Sequence, residues 1–261
     1  MKITNQIFED ESDSDDDAPI LPCIVSANPG LKSGILVNAL PDSGCDISTV
    51  TKSTAMKIGA SITSTPAKLY DATGAKLKVM GQAIIFTKVD KVTVKKLRVL
   101  VEEKASHDFT ICYQDLITLR VLASNFPNQV TQKKAPFLHH PFGNIRTTPL
   151  LSCRVRAGFT VDVIVKAVPD TGCNNVSVIS KDLASMCKIL IFPTTLRLMA
   201  SGNKVDVEGE AWISIMIKDQ PKEIHRRVAV ANIVDDMLLS WKDLISLGVL
   251  AGNFPNPMCD N

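Results

Sequence analysis

The sequence predicts an all-β chain made of two copies of one unit, on three observations. Leu-Pro-Asp-Ser-Gly-Cys at 40–45 matches Val-Pro-Asp-Thr-Gly-Cys at 168–173, and Val-Leu-Ala-Ser-Asn-Phe-Pro at 121–127 matches Val-Leu-Ala-Gly-Asn-Phe-Pro at 249–255, each 128 residues apart. Gly74 and Gly202, like Gly81 and Gly209, keep that register, so a duplicated supersecondary unit explains all four landmarks together. Within each copy Val, Ile, Leu and Thr fall in short runs rather than long helical stripes, which favours strands. With 45% hydrophobic and 21% charged residues among 261, the chain has the apolar material for the cores of a soluble globular protein.

The elements follow in the same order in both copies. A strand, Ile35 to Leu40 or Val161 to Val168, runs into the Pro-Asp-[Ser/Thr]-Gly turn, and a β-branched segment follows at Ile47 to Thr51 or Val176 to Ser180. Next comes a hairpin about a glycine, from Lys68 to Met80 around Gly74 and from Leu196 to Glu208 around Gly202. Strands at Ala83 to Val89 and Val92 to Val101, or Trp212 to Ile217 and His225 to Ala231, lead to a short helix with apolar positions Leu116 and Leu119, or Leu244 and Leu247. Ser240 and Asp243 stand as an N-cap and its return partner, with Gly248 as terminator. Cys112 and Arg120 occupy those cap positions in the first copy, which predicts a less well defined helix there.

The copies occupy residues 21–127 and 149–257, with a connector at 128–148 that contains Pro136, Pro141 and Gly143. At about 3.3 Å per residue such a connector reaches some 65 Å, ample to join two lobes side by side. Residues 1–20 include Glu9 to Asp17 with seven acidic side chains, cannot bury a core, and are expected to be disordered.

Composition narrows the function. No apolar run approaches the roughly 20 residues of a membrane span, and no basic-then-apolar leader opens the sequence. Seven cysteines without a C-x-x-C pair, and four unmatched histidines, suggest reduced thiols in a cytoplasmic setting and argue against a metal site or a Ser/His enzyme; no cofactor is expected. The net charge is +2, and becomes +8 without residues 1–17, but no aromatic platform accompanies the basic residues, so nucleic acid is not the expected partner.

Two Asp-[Ser/Thr]-Gly turns at matched positions suit hydrolysis by a water held between two carboxylates. Two carboxyls in one site cannot easily both ionise, so the pair holds one proton, accepting from water with one member and donating with the other. On these motifs the chain resembles the retropepsins, the aspartic proteases of retroviruses and LTR retrotransposons, over about Leu21 to Phe126 and Pro149 to Phe254. The resemblance implies two acid-protease β-barrel lobes, each ending in a short helix, in a pseudo-twofold bilobal unit. It makes Asp42 and Asp170 the catalytic pair, with Ser43, Gly44, Thr171 and Gly172 supporting the active-site turns. It assigns Cys45, Asp46, Gly74, Cys173, Asn174 and Gly202 to the substrate-binding flaps and their surroundings, and makes Asn-Phe at the end of each copy a terminal interface strand.

A retropepsin normally supplies one aspartate per chain and dimerises. Here the two lobes are expected to pair within the chain, the alternative being pairing of like lobes between chains. The family's Gly-Arg pair is replaced by Cys112-Tyr113 and Ser240-Trp241, so the ion pair that braces the catalytic loop is expected to be missing. Cys45 and Cys173 read as small apolar filler beside the cleft. The implied activity is an endopeptidase acting on a peptide or retroelement polyprotein. The alternative is a non-catalytic duplicated scaffold that binds or assembles.

Overall fold

The computed structural model describes residues 18–127, 149–157, 162–173, 176–200, 203–232 and 235–256. The first copy contains β1 (Leu21–Ser26), β2 (Ile35–Asp42), β3 (Thr49–Thr51), α1 (Lys52–Lys57), β4 (Leu69–Tyr70), β5 (Lys76–Leu77), β6 (Val79–Lys88), β7 (Lys95–Glu102), β8 (Phe109–Cys112) and α2 (Tyr113–Thr118). The second contains β9 (Leu151–Arg156), β10 (Val163–Pro169), β11 (Val178–Ile179), α3 (Lys181–Met186), β12 (Leu198–Ala200), β13 (Asn203–Val205), β14 (Val207–Ile217), β15 (Glu223–Ala231), β16 (Met237–Leu239) and α4 (Trp241–Ser246).

Each copy closes into a six-stranded barrel. The order around the first is β1-β2-β8-β3-β7-β6, and β9-β10-β16-β11-β15-β14 repeats it strand for strand. Alternation builds the walls: β6 reads alternately inward and outward, with Gly81, Ala83, Ile85 and Thr87 buried, as do Gly209, Ala211, Ile213, Ile215 and Ile217 on β14. Two parallel pairings per barrel, β2 with β8 and β3 with β7 in the first, place the end of β2 beside the start of α2, with Asp42 opposite Cys112. One contiguous apolar core runs through both barrels, from Leu21 and Phe109 to Leu151 and Leu244.

Several expectations are corrected in detail. The hairpins are shorter than their sequence signals, with β4 and β5 two residues each and β12 and β13 three each. Helices α1 and α3 lie where no helix was expected, each started by a hydroxyl cap: Thr51 accepts from the Thr54 amide and Ser180 from the Leu183 amide. Helix α2 spans six residues like α4, although Cys112 makes no side-chain cap bond. The Asn-Phe-Pro ends are turns rather than strands, since Pro127 and Pro255 have no amide to give to a ladder. The acidic run, the connector and Cys259 lie outside the described residues.

Gly81 and Gly209 recur for a steric reason. The chain after α1 bridges back to β6 at Thr63 and Gln82, and the chain after α3 bridges to β14 at Phe192 and Glu210. A Cβ on Gly81 would lie 2.5 Å from the Thr63 carbonyl oxygen, and one on Gly209 would strike the Phe192 carbonyl. Gly81 also has φ +154. Gly81→Ala is therefore expected to lower unfolding free energy by about 2 kcal/mol in urea titration, whereas Gly252→Ala, with open space around its Cβ, should change it by less than about 0.5 kcal/mol.

Candidate active site

The two Asp-[Ser/Thr]-Gly turns meet between the barrels. Ser43 and Thr171 are buried and exchange four hydrogen bonds across the pseudo-dyad. The Ser43 amide donates to Thr171 Oγ1 at 2.9 Å, and the Thr171 amide to Ser43 Oγ at 3.0 Å. The Ser43 hydroxyl donates to the Pro169 carbonyl at 2.6 Å, and the Thr171 hydroxyl to the Pro41 carbonyl at 2.8 Å. Each of the two hydroxyls thereby donates one hydrogen bond and accepts one in a water-poor setting, where leaving the donor unpaired is costly.

This lattice presses each carboxyl against the other lobe's glycine. A Cβ on Gly44 would sit 2.8 Å from Asp170 Cγ, and one on Gly172 would sit 2.6 Å from Asp42 Cγ, so both positions admit only glycine. Asp42 Oδ1 accepts from the Gly44 amide and Asp170 Oδ1 from the Gly172 amide, both at 2.9 Å, and the two carboxyls lie close enough for each to shift the other's titration. Burial raises the pKa of both, and the negative charge of Asp170 pushes Asp42 well above the carboxylate range. Both shifts favour retention of a proton by the pair. Cys45 and Cys173 flank it with protonated thiols: burial and the neighbouring carboxylates raise their pKa values, and each donates to a carbonyl, of Ile47 at 2.9 Å and of Val176 at 3.2 Å. Asp46 is exposed on the loop beyond the first turn, while Asn174 and Gly202 lie outside the described residues.

The brace behind the turns is present in a form that sequence reasoning missed. Ser48 donates to Asp115 Oδ2 at 2.6 Å and accepts from the Cys112 amide, tying the loop after the first Asp-Ser-Gly turn to α2. In the second lobe Ser177 donates to Asp243 Oδ2 at 2.5 Å and accepts from the Ser240 amide, while Arg226 reaches Asp243 Oδ1 at 2.8 Å. Ser240 does cap α4 through the Asp243 amide, but the return bond runs through Ser177 instead of from Asp243. The aromatic residues in the arginine positions hold the chain ends: the Tyr113 hydroxyl donates to the Phe126 carbonyl at 2.8 Å, and Trp241 packs on Phe254. Val121, Leu122 and Phe126 then face Val249, Leu250 and Phe254 across a small shared cavity. The signal for the brace was Asp115 and Asp243, 128 residues apart at the third helical position of α2 and α4, with Ser48 and Ser177 one residue out of that register.

The hairpins meet as well. Gly74, at φ +81, turns the first tip, where Asp71 Oδ1 accepts from the Thr73 and Ala75 amides, both at 2.9 Å. Its other oxygen accepts from the Asn203 side-chain amide of the second hairpin at 2.6 Å.

No protein-family model matches this chain, and no curated protein matches it. Its structural neighbours are retropepsin-like and pepsin-like aspartic proteases. They include the retroviral protease-like domain of Ddi1 from Leishmania major, at 20% identity over 39% of this chain and 74% of that one, TM-score 0.27. EIAV protease complexed with the inhibitor HBY-793 is 15% identical over 40% of this chain and 88% of that one, TM-score 0.32. An aspartic proteinase from Irpex lacteus is 11% identical over 87% of this chain and 88% of that one, TM-score 0.44. The two-barrel architecture itself is read from this chain's own strand order.

Two outcomes follow. Asp243→Ala, which strands the Ser177 hydroxyl and the Arg226 guanidinium, should cost about 2 kcal/mol in urea titration, and more than Asp115→Ala, which has no arginine to strand. Because folding raises the Asp42 pKa, the folded chain binds that proton more tightly than the unfolded chain. The linked stability is present below the unfolded value and lost as pH rises through the raised folded value. Asp42→Asn removes this loss, so its Tm should exceed that of wild type by a margin that widens from about pH 4 to about pH 8 in scanning calorimetry.

Proposed function

We propose that this chain is a single-chain aspartic endopeptidase, in which Asp42 and Asp170 activate one water between two lobes of the same chain. The observation that supports this reading is the apposition of the two half-buried carboxyls, each packed on the opposite lobe's glycine, with both pKa values raised. Attack on a peptide carbonyl needs a base to take the water proton and an acid to protonate the carbonyl oxygen; a singly protonated pair supplies both and is restored after each turnover. Ser43, Thr171, Gly44 and Gly172 hold that geometry, and the hairpins around Gly74 and Gly202 cover an extended peptide. Cys45, Asp46, Cys173 and Asn174 border the substrate.

The case for a decayed scaffold rested on the missing arginine brace. The Ser48–Asp115 and Ser177–Asp243 links do that work with different side chains, which favours the catalytic reading. From the motif resemblance we infer a retroelement polyprotein as natural substrate.

The test is cleavage of a diverse peptide library between about pH 4 and pH 7 by wild type, Asp42→Asn and Asp170→Asn. Each single variant should lose at least about a thousandfold in kcat/KM, and mixing the two should restore nothing. Wild-type activity should fall as pH rises through the raised dyad pKa, where the shared proton is lost. Recovery on mixing would mean that like lobes pair between chains, and an inert wild type would leave a non-catalytic scaffold.

A further inference from the structure

The two walls of the cleft are not chemically equivalent. In the second lobe, Val178, Ala229 and Ala231 of the wall form an apolar cluster with Val176 and Val205. Leu198 and Ala200 of the hairpin, Cys173 of the catalytic turn and Leu238 pack against it. This buried cluster is where the wall, the hairpin and the second Asp-Thr-Gly turn meet, the part of the lobe that the side chains of a bound peptide would approach. Strand pairing fixes the corresponding positions of the first lobe. Val178 sits between Ala229 and Leu238 as Thr49 sits between Leu100 and Thr110. Ala231 pairs with Val207 as Glu102 pairs with Val79. Three apolar side chains, Val178, Leu238 and Ala231, are thus replaced by Thr49, Thr110 and Glu102.

Glu102 is the unusual member. It is 4% exposed, as is Thr49, which lies close enough to lower its pKa in part against the effect of burial. The nearby Lys78 is engaged by Glu103 at 2.9 Å, and among the described residues no basic side chain pairs with Glu102. A carboxylate taken this far from water without a cation is costly, and burial raises its pKa accordingly. It has no part in the water-activating chemistry. Thr110, which pairs with Thr49, stands near that chemistry: it lies opposite Leu40 on β2, two residues before the pair that sets Cys112 opposite Asp42.

Resting on the endopeptidase reading, we propose that Glu102, with Thr49 and Thr110, forms a specificity pocket for a lysine or arginine side chain of the substrate, while the equivalent pocket of the second lobe takes an aliphatic one. A cationic side chain reaching Glu102 supplies the missing counter-charge, and a neutral isostere leaves the carboxyl unpaired. Such a site rejects the isostere more strongly than an apolar pocket rejects a misfit.

The experiment uses the full chain and a peptide series with Lys, Arg, Gln or norleucine at each position flanking the scissile bond. Wild type should favour Lys or Arg over norleucine by at least about tenfold in kcat/KM at a position on one side of the bond only, chiefly through KM. In Glu102→Gln and Glu102→Ala that ratio should fall toward one. Absence of the one-sided preference in wild type, a preference for Gln over Lys, or a preference that survives Glu102→Gln would overturn the pocket and leave the aspartic dyad standing. Binding of the Lys and norleucine peptides to the Asp42→Asn chain, followed by calorimetry, decides the pocket without turnover. A Lys advantage abolished by Glu102→Gln upholds it even if wild type cleaves nothing, whereas equal binding, or none, overturns it.

Discussion

Everything near the centre of this molecule depends on four hydrogen bonds between residues about 130 positions apart in the chain, those joining Ser43 and Thr171 to each other's turns. They are buried, reciprocal and complete, so neither turn can be satisfied in the absence of the other. Each barrel closes on its own strands, but the position of each aspartate is set by the partner lobe. Steric necessity adds a second lock, because each glycine leaves just the space that the opposite carboxyl fills. Joining the lobes covalently makes this mutual dependence an intramolecular matter, with the effective concentration of a tethered partner.

The supports around the lattice show one mechanical task met by different side chains. Ser48 and Asp115, or Ser177, Asp243 and Arg226, join the loop after each Asp-[Ser/Thr]-Gly turn to the helix behind it through short bonds between a hydroxyl and a carboxylate. Tyr113 and Trp241 reach the other way and pin the Phe126 and Phe254 ends. The two lobes have diverged here: the second uses Arg226 on Asp243, and the first uses the phenolic hydroxyl of Tyr113.

Much of this was legible in the sequence because duplication doubles every signal. The 128-residue offset picks the paired Asp-[Ser/Thr]-Gly turns and the paired Gly81 and Gly209 from many turn-like tripeptides and glycines, and each has a steric or chemical reason in the structure. Helices α1 and α3 escaped because each buries only two adjacent side chains, Thr54 and Ala55 or Leu183 and Ala184, without the spaced leucines that mark α2 and α4, though the caps Thr51 and Ser180 were visible. The Asn-Phe ends looked like strands by resemblance, and their prolines argued otherwise. Glu102 escaped for a different reason: beside Glu103 at the end of β7 it reads as part of a solvated charged pair, and only the strand register that aligns it with Ala231 reveals it as buried.

The bond between Asp71 and Asn203 has a consequence of its own. In an assembly of two identical chains, a half-turn about the axis returns the same roof, so a guest threaded forwards or backwards meets the same surface. Here a carboxylate stands on one hairpin and an amide on the other, so the hairpins break at their side chains the axis that the Asp-[Ser/Thr]-Gly turns below keep. The cleft therefore has a head and a tail written into a single gene product, and the two directions of threading are distinct molecules to it.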